Sequence, residues 1–114
     1  MANYSCTVHT LPTPQYAMRL EVCTSDDTTD VNLTLTQDDP NAGYVNNYTA
    51  TLQRANKNEA WAEDVMSKSG VLKSSSTSNA KSNVTFGNIA KKGLPVRVKV
   101  KTDFGTYYSN TWIR

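Results

Sequence analysis

Histidine occurs once in this chain, cysteine and tryptophan twice each, and glycine five times. A zinc centre needs several Cys, His or carboxylate ligands grouped together, and the sequence contains no such group. Any Ser-His-Asp or Cys-His unit would have to be built on His9, which lies beside Thr7 and Thr10 in a threonine-rich segment. Catalysis is therefore not expected, and neither is a cofactor or a metal. Charge of one sign is also missing: the formal net charge is +2, too small for long-range attraction to nucleic acid or an anionic membrane. No apolar run approaches the length that spans a bilayer, so membrane insertion is not expected. The first residues, MANYSCTV, lack a basic segment followed by an apolar stretch and do not read as a signal peptide; a processed mature end remains open.

What the chain has instead is fifteen Thr, ten Ser and eleven Asn set among β-branched and aromatic residues. Such a composition suits pleated, half-exposed surfaces and polar turns. At 114 residues the chain is long enough for one core, and residues 1–114 are expected to form a single domain. The strongest pattern lies near the end. Val96, Val98 and Val100 alternate with Arg97, Lys99 and Lys101, a side-chain period of two with one apolar face. Val84 and Phe86 mark the strand before it, with Asn88 as a further member of that face. Asp103-Phe104-Gly105 turns the chain into a final Tyr- and Thr-rich strand over 106–113.

Earlier in the chain, Tyr4, Cys6 and Val8 share one face of an N-terminal strand that Pro12 and Pro14 terminate. Met18, Leu20 and Val22 alternate with Arg19, Glu21 and Cys23; Val31, Leu33 and Leu35 follow, then Tyr48, Ala50 and Leu52 over 47–54. Residues 56–67 fit either a short edge strand or a helical turn, and KSSSTSNAKS over 73–82 reads as an exposed loop. About seven or eight short strands between polar turns predict an all-β sandwich of two antiparallel sheets.

The order Arg19-Leu20-Glu21-Val22, Val31-Asn32-Leu33-Thr34-Leu35, Tyr48-Thr49-Ala50-Thr51-Leu52, Val84-Thr85-Phe86-Gly87-Asn88-Ile89 and Val96-x-Val98-x-Val100 resembles a fibronectin type III, or more broadly an immunoglobulin-like, domain. The likeness covers residues 16–113 and leaves 1–15 as an added strand. Leu35 stands where that family carries a core tryptophan and Val96 where it carries a corner tyrosine. Thr102-Asp103-Phe104-Gly105 replaces the Arg-Gly-Asp of cell-attachment members, so integrin binding is not implied. A second resemblance is to fungal immunomodulatory proteins, secreted dimeric sandwiches whose last strands run through an Asp-x-Gly turn to a Trp. Asp103-Phe104-Gly105 and Trp112-Ile113-Arg114 match that outline, whereas those proteins generally lack cysteine.

Cys6 and Cys23 could pair across neighbouring strands, closing a loop whose constraint contributes about 3 kcal/mol in the chain-entropy model. Two buried free thiols in a cytosolic protein are the alternative; the Thr/Ser/Asn-rich composition favours the bridge and a secreted or surface-displayed chain. Sequons stand at Asn3, Asn32, Asn47 and Asn83. Asp26, Asp27 and Asp30, and Asp38 with Asp39, are read as turn residues, since their spacing fits no calcium loop.

The remaining expectation is a binding role. Arg97, Lys99 and Lys101 form a basic stripe, with Tyr107 or Tyr108 beside it on the next strand, a face suited to an anionic glycan or an acidic protein patch. Tyr44, in a polar loop, is a further contact candidate. The expected partner is a protein or glycan at a cell or matrix surface. A lectin-like or immunomodulatory homodimer, an inhibitor inserting the 73–82 loop into an enzyme, and a structural part of an appendage or phage particle are the alternatives.

Overall fold

In the computed structural model, residues 4–12, 18–38, 45–58, 60–61, 63–73 and 80–114 are described. They form nine strands and no helix: β1 Tyr4–Leu11, β2 Met18–Asp26, β3 Val31–Asp38, β4 Val45–Arg54, β5 Glu63–Lys73, β6 Ala80–Phe86, β7 Pro95–Thr102, β8 Gly105–Tyr108 and β9 Trp112–Ile113. One antiparallel sheet has the order β1-β2-β3-β6; the other runs β5-β4-β7-β8, with β9 also paired to β7. Their inner faces pack on each other as the all-β sandwich that the alternation predicts. Met18, Leu20, Val22, Val31, Leu35, Ala50, Leu52, Phe86, Val96, Val98 and Val100 are all fully buried between them. Each of these residues sits two positions from the next core residue of its own strand, so the period of two alone aims them inward.

Four features add to or depart from the sequence reading, each with a physical cause. First, Tyr4 and Val8 face outward, 74% and 60% exposed. Cys6 lies directly opposite Cys23, which shares its parity with Arg19 and Glu21 and not with the core-facing Leu20 and Val22. The bridge between Cys6 and Cys23 therefore forms on the outer surface of the sheet, with Cα atoms 4.1 Å apart. The inner face of β1 is polar: Ser5, Thr7 and His9, closed by Leu11.

Second, of the two readings of residues 56–67 the edge strand is the one found, but it is longer and later than expected, eleven residues over Glu63–Lys73. A register shift opposite Leu52/Gln53 leaves Val65 as an extra residue, so Val65 and Met66 both lean on the core while Asp64 pairs with Gln53. Third, the expected loop at 73–82 is shorter at both ends, because Lys73 belongs to β5 and Ala80 opens β6. Asn88 does not continue the β6 face; it has a positive φ of 58° in a bend, and Ile89 takes the buried place beyond it. Fourth, the last strand is broken into β8 and β9. Three residues, Ser109 to Thr111, lie opposite Arg97 and Val98, and Ser109 bonds Val98 through both its N–H and its Oγ. This bulge flips the parity, so Tyr107 and Trp112 both pack on the core and Tyr108 alone points outward.

The sandwich is tied at one end by Arg114. Its side chain is buried and donates to Asp26 Oδ2 at 2.8 Å, the Asp27 carbonyl at 2.7 Å and the Ile89 carbonyl at 2.8 Å. Trp112 Nε1 donates to the same Asp26 oxygen at 3.1 Å. Asp27 Oδ1 accepts the backbone N–H groups of Thr29 and Asp30, and these two bonds hold its carboxyl below the ordinary value of 3.8. The aspartates of this turn are thus engaged in local structure.

Candidate functional site

The outer face of the five-stranded sheet collects three of the predicted contact residues. Arg97, Lys99 and Lys101 alternate with the buried valines of β7, so all three must project away from the core. Across the sheet, Arg97 lies opposite Gln53, Lys99 opposite Thr51 and Tyr108, and Lys101 opposite Thr49 and Thr106. One strand further out, Ser67 stands opposite Thr51 and Ser69 opposite Thr49.

Arg97 is held rigidly. Its Cζ lies 4.1 Å from the centre of the Trp61 ring and 4.2 Å from that of Tyr108, so the guanidinium is sandwiched between two aromatic faces. Its Nε donates to Gln53 Oε1 at 2.9 Å, and Gln53 Nε2 in turn donates to Asp64 Oδ1 at 3.0 Å. Planarity makes this possible: arginine can stack and donate in its plane at once, which lysine cannot. Lys99 and Lys101 carry no ion-pair partner among the described residues. Beside them Thr51 and Ser67 share a hydrogen bond of 2.8 Å and Thr49 and Ser69 one of 3.1 Å. The face ends in a cleft of about 410 Å³ lined by Asn47, Thr49, Ser69, Lys101 and Asp103. Asp103 Oδ2 accepts both the N–H and the Nδ2 of Asn47 at 2.9 Å, which fixes the cleft wall.

Tyr107 does not join this face. Its ring packs inward, 5.1 Å from that of His9, and its hydroxyl donates to the Phe104 carbonyl at 3.2 Å. Burial pushes its phenol pKa up. Tyr108, 38% exposed, is the tyrosine beside the basic stripe. Tyr44 lies outside the described residues, as do residues 74–79 of the proposed inserting loop. Trp61 and Gln53 also belong to the site, and of the two it is Gln53 that the sequence reading did not consider. Gln53 could have been found from parity alone, since it follows Thr49 and Thr51 on the outward face of β4.

His9 Nε2 lies 3.1 Å from the Tyr108 carbonyl oxygen, to which it can donate, and 3.0 Å from Thr7 Oγ1. These contacts fasten β1 to β8. Among the described residues, the one grouping with metal-ligand chemistry is Cys6, Glu21 and Cys23, and its two sulfurs are consumed in the disulfide. That bridge fits an extracellular protein. No protein-family model, curated protein or solved structure matches this chain.

Proposed function

We propose that this chain is a non-catalytic extracellular binding module whose ligand, a protein or a glycan, docks on the outer face of the β5-β4-β7-β8 sheet. The observation that carries the reading is the contrast within one basic stripe. Arg97 stacks on two aromatic rings and donates to Gln53, whereas Lys99 and Lys101 stand on the same face with no ion-pair partner among the described residues. A structural role explains Arg97, and it leaves the two lysines unexplained. The fibronectin type III-like reading draws support from strand order: the segments that resemble that family fall as β2-β3-β6 in one sheet and β4-β7 in the other, with β1 added outside.

Immobilised wild-type protein should bind on an array of glycans and extracellular-matrix proteins, and the Lys99→Glu/Lys101→Glu variant should lose those hits while keeping its melting temperature. Hits that survive the double substitution would move the site elsewhere. A dimeric, lectin-like form is the second reading, favoured by Tyr4 and Val8, exposed on either side of Cys6. Light scattering on non-reduced protein separates the two: a dimer broken by Tyr4→Ser/Val8→Ser supports the second, a monomer excludes it.

A further inference from the structure

The chemistry around Lys99 and Lys101 narrows the ligand class of the proposed binding face, an inference that rests on that reading. The cations of β7 project on one side at every second residue, about 7 Å apart. A partner that satisfies them must present negative charge along a line. The groups beside them are largely hydroxyls: Lys101 lies between Thr49 and Thr106 and Lys99 between Thr51 and Tyr108, with Ser67 and Ser69 one strand further out. In each Thr–Ser pair one hydroxyl donates to the other, and the accepting hydroxyl keeps its own proton to donate outward. Around Lys99 and Lys101 the face is therefore mostly ammonium and hydroxyl, and its aromatic residues, Trp61 and Tyr108, are gathered about Arg97 at one end. The exposed aliphatic residues of this sheet face lie off the two lysines: Val45 and Val71 are paired near one end of β4 and β5, and Ile113 of β9 stands opposite Pro95 at the start of β7. Tyr108 remains partly open next to Lys99, so a pyranose ring can lie on it while an acidic substituent reaches the lysine.

We propose that this face binds a linear acidic glycan laid along β7, with its carboxylate or sulfate groups against Lys99 and Lys101 and its sugar hydroxyls on the Thr/Ser rows. Arg97, locked between Trp61 and Tyr108, keeps the platform flat, and among the described residues only its Nε–H is engaged, so its terminal N–H groups remain to donate to the ligand. An acidic peptide would meet the charges but would leave the hydroxyl rows with few partners. A nucleic acid would ask for a broader basic surface than three side chains and a net charge of +2 supply.

Calorimetric titration at low ionic strength tests the assignment. The probes are oligogalacturonate, a heparan-sulfate oligosaccharide, a neutral dextran oligomer, oligoglutamate and a single-stranded oligonucleotide. At least one acidic glycan should bind saturably, and the neutral oligomer should not. Lys99→Gln/Lys101→Gln should weaken that binding by about tenfold. Lys81→Gln/Lys92→Gln removes the same charge from other surfaces and should leave it unchanged; the uronate and sulfate arms identify which anion is preferred. Failure of both acidic glycans to bind overturns the proposal, as does an equal loss in the two double variants. Equally tight binding of oligoglutamate or the oligonucleotide through Lys99 and Lys101 also overturns it, yet leaves the face standing as a docking surface. Absence of any probe or array ligand dependent on those lysines would sink the binding-module reading itself.

Discussion

Replacing Arg97 should reveal whether the Trp61–Arg97–Tyr108 stack is a real coupling or a coincidence of three surface side chains. Arg97→Ala removes two cation–π contacts, each of about 0.5–1 kcal/mol at a partly exposed site. It also removes the charged donor to Gln53, a bond of about 1.5 kcal/mol at the low end for charged partners. Solvent screening at this half-buried position trims the sum to about 2 kcal/mol. Lys99→Ala, on the same strand with no ion-pair partner among the described residues, should cost under about 0.5 kcal/mol. Arg97→Lys keeps the charge but loses the planar stack and should fall between them. Urea unfolding gives the three values, and a Trp61→Ala/Arg97→Ala double-mutant cycle should return a coupling of about 1 kcal/mol. Trp61 emission should shift in Arg97→Ala, and that shift should vanish in a Trp61→Phe background. A coupling within about 0.3 kcal/mol of zero, or equal costs for Arg97→Ala and Lys99→Ala, would refute the reasoning.

Arg114→Ala removes the guanidinium from beside the buried Asp26 carboxylate and should cost about 3–5 kcal/mol in urea unfolding; a loss below about 1 kcal/mol would contradict the network. Gly70→Ala should cost about 1–3 kcal/mol, because a Cβ there would sit 2.6 Å from Tyr48 Cζ in the core, and an unchanged melting temperature would refute that contact. Cys6→Ser/Cys23→Ser should lower stability by about 3 kcal/mol by releasing the constraint on β1; no change on reduction would count against the bridge. Asp27 has a folded pKa below 3.8, so its contribution is complete above that pH and is lost as pH falls through the lower folded value. Unfolding of Asp27→Asn should therefore show a shallower loss of stability below 3.8 than wild type, and identical slopes would contradict the turn geometry.

Parity was legible in the sequence wherever a strand has two paired neighbours or one plainly apolar side. Leu33, Ala50 and Val98 all sit inward as alternation requires, because burial on one face leaves a strand no other register. The same rule placed Arg97, Lys99 and Lys101 outside. Alternation became ambiguous at bulges, which insert a residue without a compositional mark. Val65 in β5 and the Ser109 to Thr111 break each reversed the downstream parity, the second turning Trp112 inward, while the register of the β7–β8 hairpin is why Tyr108 and not Tyr107 accompanies the basic stripe. For β1, the apolar residues Tyr4 and Val8 suggested a face but not its direction. The bridge to an outward-facing Cys23 decides that, and Cys23's parity was readable from Leu20 and Val22 on either side of Glu21. The clamp of Trp61 on Arg97 joins residues far apart in sequence, and no local pattern announces it.

On the proposed function, the outer face of β4, β7 and β8 receives the ligand. An amide-resolved NMR titration of isotope-labelled protein with the acidic oligosaccharide that binds most tightly tests it most directly. Shifts should concentrate at residues 97–101, 49–51, 67–69 and 106–108, with the outer face of β1-β2-β3-β6 silent. Shifts centred on Tyr4, Val8, Asn32 or Asn83, on the opposite sheet, would contradict it.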